Sequence, residues 1–132
     1  MLWPAFSTDL LAADLTVEIR GLRSNKGNIH IAVYNTPETF PDSDGMILEA
    51  QIPITSLKAE HRFADLAPGA YAIATYHDEN ANDDFDTNFI GLPLEGYAFS
   101  NDARVFFGPP EFDSAGIELG PMGSTTRIKM GY

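Results

Sequence analysis

The stretch Asp14-Leu15-Thr16-Val17-Glu18-Ile19-Arg20 decides the fold class. Leu15, Val17 and Ile19 alternate with Thr16, Glu18 and Arg20, a period of two that marks a strand with one face on a core and the other in water. Outward from it, Ser24, Asn25, Lys26 and Gly27 make a turn cluster. Ile29, Ile31 and Val33 then resume the alternation against His30, Ala32 and Tyr34. These two stretches are predicted to be antiparallel neighbours.

The same grammar continues downstream. Residues 37–45 are crowded with turn formers and predict a loop or a single helical turn, followed by a strand over 46–54 that Pro53 pushes to a sheet edge. Residues 61–66 read as another strand. It ends at Ala67-Pro68-Gly69, where Pro pre-sets the second turn position and Gly accepts the positive φ of the third. Residues 70–77 follow as the clearest strand in the chain. Short strands are predicted near 104–107, 116–119 and 125–132, the last with Thr126, Ile128, Met130 and Tyr132 on one face. Short strands, frequent turns and no helical period predict an all-β fold, a single antiparallel β-sandwich of about seven to eight strands with a long acidic loop.

Composition sets the outer bounds. The chain has 132 residues, enough for one core that buries about two-thirds of the unfolded surface. Nineteen acidic against eight basic side chains give a formal charge of −11, which opposes nucleic-acid binding, because that affinity comes from Lys and Arg on phosphates. Without cysteine there is no disulfide framework, thiolate metal site or thiol nucleophile. No apolar run approaches the roughly 18 residues of a membrane-spanning helix. Residues 1–13 are mostly apolar, carry no Lys or Arg, and end Leu10-Leu11-Ala12-Ala13. They are expected to be a signal-peptide remnant or an apolar arm, with the β-sandwich domain over 14–132.

The stretches Asp65-Leu66-Ala67-Pro68-Gly69-Ala70-Tyr71-Ala72, His77-Asp78-Glu79-Asn80-Ala81-Asn82, Gly91-Leu92-Pro93 and Glu95-Gly96-Tyr97 with Phe99-Ser100-Asn101 carry a family resemblance. Together with the first strand and the Lys26-Gly27 turn, they resemble the uncharacterised bacterial family DUF2141 over about residues 14–132. The resemblance implies a transthyretin-like or prealbumin-like sandwich in an exported protein, periplasmic or extracellular. It implies no established activity.

The acidic loop is the most chemically loaded feature. Asp78, Asn80, Asn82, Asp84 and Asp86 occupy alternate positions, like places 1, 3, 5, 7 and 9 of an EF-hand calcium loop, with Phe85 at place 8. Place 6, normally Gly, is Asp83, where the related family usually has Gly; Asp is among the few side chains that take positive φ. Place 12, normally a bidentate Glu, is Phe89, so Glu95 and Asp102 are the candidates to complete the shell. Asp78, Glu79, Asp83, Asp84 and Asp86 would repel one another by about 3 kcal/mol per pair at about 6 Å and an effective dielectric near 20. A divalent cation relieves that repulsion, and oxygen-only donors favour Ca²⁺. The plainer alternative is a hydrated loop built on Asx turns.

Three further constellations are weaker. His30, His61 and His77 could converge on zinc or general-base chemistry if their strands were neighbours, and His77 could act as a cationic partner for the loop. Ser100 with His77 as base invites a hydrolase reading, but no nucleophile-elbow pattern surrounds it. Tyr97, Phe99, Phe106, Phe107 and Phe112 could close the end of the sandwich, or line a surface for an apolar small molecule or a protein partner. The leading expectation is a non-catalytic exported binding or scaffolding domain stabilised by calcium, with a carrier of a small apolar or ring-bearing ligand as the alternative.

Overall fold

A computed structural model describes residues 12–83, 95–104 and 109–132. The strands are β1 (Ala13–Arg20), β2 (Asn28–Tyr34), β3 (Leu48–Pro53), β4 (Ala59–Leu66), β5 (Gly69–Asp78), β6 (Tyr97–Phe99), β7 (Ile117–Leu119) and β8 (Ser124–Lys129), with a single-turn helix α1 (Phe112–Ala115) before β7. They form a smaller sheet in the order β4-β1-β8 and a larger sheet in the order β3-β2-β5-β6, with β7 also paired to β5. The molecule is an all-β sandwich.

Alternation places the core between the sheets. Leu15, Val17 and Ile19 of β1 and Ile128 of β8 face Ile29, Ile31 and Val33 of β2 and Ile73 of β5, all buried. Each such side chain contributes about 1.5–3 kcal/mol relative to exposure. Pro53 closes β3, which lies at the sheet edge, as a strand proline requires.

Two expectations need correction. First, β1 and β2 are not neighbours: β1 pairs with β4 and β8, and β2 with β3 and β5. Residues 21–27 pass from one sheet to the other with Leu22 buried in the core, so the turn chemistry is right and the partner is wrong. Alternation reports which face of a strand is buried, not who lies beside it. Second, the sandwich is not wholly antiparallel, because β1 and β8 run parallel from Leu15 beside Ser124 to Arg20 beside Lys129.

The outer face of the larger sheet carries a second apolar cluster of Tyr34, Phe40, Ala72, Phe112 and Ala115. Phe40 makes edge-on ring contacts with Tyr34 at 5.1 Å, Phe99 at 5.8 Å and Phe112 at 6.0 Å. The Tyr34 hydroxyl donates to the Pro41 carbonyl at 3.0 Å. These contacts pin the segment after β2, and α1, over one half of the outer face. The other half carries the candidate site.

Candidate functional site

On β2, the residues opposite the core-facing Ile29, Ile31 and Val33 are Asn28, His30, Ala32 and Tyr34. On β5 they are Ala72, Ala74, Tyr76 and Asp78. The antiparallel register sets Asn28 beside Asp78 and His30 beside Tyr76 on one face. The His30 ring stacks on Tyr76 at 4.5 Å and 9°. The His30 carbonyl accepts the Thr75 hydroxyl at 2.7 Å, which fixes the strand under that ring.

Asp78 ends β5 fully buried, and its carboxylate organises the loop that follows. Oδ1 accepts the Asn82 N–H at 3.1 Å and Oδ2 the Asp83 N–H at 2.8 Å. His30 Nε2 lies 3.1 Å from the same Oδ2. Asn80 Oδ1 also accepts the Asn82 N–H, at 3.3 Å. The Asn80 contact is an Asx turn, while Asp78 gathers the N–H groups four and five positions further on. Asp83 takes φ 64°, the positive value expected at place 6 of the loop, and Ala81 takes φ 54°. The Asp83 carboxylate returns toward the sheet: Oδ1 lies 3.6 Å from His30 Nε2 and accepts the Gln51 amide at 3.1 Å. His30, Asp78 and Asp83 form the group of potential metal-ligating side chains among the described residues.

His30 and Asp83 of this group line a groove of about 790 Å³ across the outer face. His30, Tyr34, Tyr76, Tyr97 and Phe99 provide ring surface, Ala32 and Ala74 lie along the floor, and Glu49, Gln51 and Asp83 supply polar groups. Tyr97 and Phe99, expected as a recognition surface, do line this groove. Phe112 does not. It is buried against Phe40, because α1 turns it inward. Phe106 and Phe107 lie outside the described residues, as do the expected ligands Asp84 and Asp86.

Neither candidate for completing the shell enters the group. Buried Glu95 accepts the Glu79 N–H through Oε2 at 3.0 Å, tying the two ends of the loop together. Asp102 accepts the Lys129 N–H at 3.3 Å beside β8. Glu79 itself bonds the Arg23 guanidinium and accepts the Ser24 hydroxyl at 3.1 Å. The bond to Arg23 holds the Glu79 carboxyl below the usual carboxylate range.

The histidines do not converge. His61 is on β4 in the other sheet, ring against Phe63 at 4.6 Å. His77 points inward, not at the acidic loop: it is fully buried, with Nδ1 2.7 Å from the Tyr132 hydroxyl and Nε2 2.8 Å from the Lys26 carbonyl. Ser100 is equally buried, accepting the Ile73 N–H at 2.8 Å and donating to the Ala115 carbonyl. Ile73 and His77 are four positions apart on one strand, about 13 Å. Ser100 and His77 therefore form no nucleophile–base pair.

Asn28 and Gln51 escape a reading of the sequence because β2 and β3 contribute them from far away in the chain, and His30 is legible only in a set with His61 and His77, not as a partner of the loop. The available signal was the polar phase of β2, which places Asn28, His30 and Tyr34 on one face.

No curated protein and no solved structure matches the chain. The family model for DUF2141, described as an uncharacterised protein conserved in bacteria, matches residues 17–128, a span that takes in β2, β5 and the acidic loop, and the chain belongs to that family.

Proposed function

We propose that the chain is a non-catalytic recognition domain whose larger sheet receives a small ring-bearing ligand, with a divalent cation at the polar end of the groove. The observation that carries this reading is the groove itself. About 790 Å³ lies within the range of small-molecule sites, and stacking surfaces with a few convergent polar groups are what such sites use. Aromatic walls give contact area at low conformational cost. In this proposal the domain acts outside the cytoplasm.

Native mass spectrometry of the purified chain tests the groove. Bound mass beyond protein and ions is expected, or binding of a hydrophobic fluorescent probe that Tyr76→Ala weakens about tenfold, the loss of about 1.4 kcal/mol of ring contact. If neither is seen, there is no groove ligand.

Support for the cation comes from Asp83 at φ 64° and from Asp78 gathering two loop N–H groups. Calcium is the ion that oxygen donors alone would select. At millimolar concentration and a dissociation constant of about 10⁻⁴ to 10⁻³ M, it would stabilise the fold by roughly 0.4–1.4 kcal/mol. The melting midpoint would then rise by about 1–6 °C over a chelator control. Equal midpoints would remove calcium.

A further inference from the structure

We infer that His30, Asp78 and Asp83 bind a transition-metal ion of the zinc class through one imidazole nitrogen and two carboxylate oxygens. This rests on the cation reading above and replaces calcium with an ion that accepts nitrogen.

The donor spacing is the first argument. Zinc bonds of about 2.0–2.1 Å in a tetrahedron set ligand atoms about 3.3–3.4 Å apart. His30 Nε2 lies 3.1 Å from Asp78 Oδ2 and 3.6 Å from Asp83 Oδ1, so both separations reach that edge with shifts of a few tenths of an ångström. All three donor atoms fall within 4.8 Å of one another.

The groups around the donors already hold them in place. Each carboxylate oxygen has two lone pairs: on Asp78 Oδ2 the Asp83 N–H uses one, and the other faces His30 Nε2, where a metal would take its place between the two atoms. Asn82 N–H anchors Oδ1. Tyr76 fixes the plane of the His30 ring and Gln51 steadies Asp83. Such outer contacts orient ligands before the ion arrives.

An independent sign comes from Asn28. Its Oδ1 is buried and has no hydrogen-bond partner among the described residues. Asn28 sits directly across the ladder from Asp78 and two positions from His30, on the same face. A buried amide oxygen without a donor costs about 1–3 kcal/mol. A cation held by the three donors would lie on the same face of the sheet as that oxygen.

Charge and ligand type select the ion. Two carboxylates and a neutral imidazole compensate a divalent charge. Imidazole suits zinc, copper, iron and nickel, while calcium takes oxygen alone. His30 and Asp83 also border the groove, so a remaining coordination position would face a ligand there.

The test is titration of the untagged full chain with zinc chloride against a chromophoric chelator, and with cobalt(II) followed by visible absorption. One ion per chain is expected, with the visible bands of tetrahedral cobalt. His30→Gln and Asp83→Asn should each lower zinc affinity at least tenfold while circular dichroism stays that of the parent, and His61→Gln should leave it unchanged. Zinc affinity indifferent to His30→Gln and Asp83→Asn overturns the site. Calcium binding in preference to zinc, insensitive to His30→Gln, overturns the ion class but leaves the cation reading standing. Binding of neither ion removes both.

Discussion

Gly27→Ala should destabilise the domain by about 3–4 kcal/mol, lowering the melting midpoint by roughly 10–15 °C. Gly27 has φ +68°, and a Cβ built there would stand 1.8 Å from the Asp78 carbonyl oxygen, 2.8 Å from its carbon and 2.9 Å from the Glu79 carbonyl carbon. All three atoms are backbone, so no rotamer change relieves the contact. The positive φ adds a cost above that of a compatible Gly→Ala exchange. The turn before β2 would have to leave the end of β5, where the acidic loop begins. Gly120→Ala is the control, because nothing lies within 4 Å of its added Cβ. Urea unfolding followed by circular dichroism measures both. A Gly27→Ala loss below 1 kcal/mol would mean that this turn does not press on the loop base.

That contact shows where reading the sequence succeeds and where it stops. The turn of residues 24–27 and the strands around it were legible, since turn formers and a period of two are local signals. The sandwich and its inward-facing set follow from the same signals. What Gly27 touches lies 51 positions away and depends on register. The same holds for His30, which reaches Asp78 only because β2 lies antiparallel on β5 with Asn28 beside Asp78. His30 and His77 look alike in the sequence, each a histidine in a strand. Their opposite roles come from phase: His30 shares a face with Tyr34, and His77 shares one with Ile73. The parallel pairing of β1 with β8 was equally hidden, because no turn connects them. Within the loop, Asp83 was legible as a residue able to replace glycine at positive φ, since that property is its own. Glu95 and Asp102 meet backbone donors that proximity in sequence does not reveal. Glu95 caps Glu79 and Asp102 caps Lys129.

His77→Ala should cost about 3–5 kcal/mol, combining a cavity in a fully buried site with the loss of two hydrogen bonds. Nε2 donates to the Lys26 carbonyl and Nδ1 meets the Tyr132 hydroxyl, which also accepts the Arg23 N–H at 3.1 Å. The Arg23 guanidinium lies over the Tyr132 ring, 4.5 Å from its centre, while bonding Glu79. Burial pushes the Tyr132 phenol up from its ordinary pKa, consistent with a hydroxyl kept protonated in this contact. His77 thus joins three segments: the turn ahead of β2, the end of β5 and the chain beyond β8. Tyr132→Phe removes only the hydroxyl and should cost about 1–2 kcal/mol, leaving Nδ1 and the Arg23 N–H to find other partners. The two substitutions share one bond, so their effects should fall short of additivity by about 0.5–1.5 kcal/mol in a double-mutant cycle. Denaturant unfolding of the parent, both single variants and the double variant yields that number. Additivity within about 0.3 kcal/mol would show that Tyr132 and His77 act separately. The expected coupling would instead make this inward histidine the clamp that holds the turn against the base of the loop, leaving His30 on the opposite face free of that structural duty.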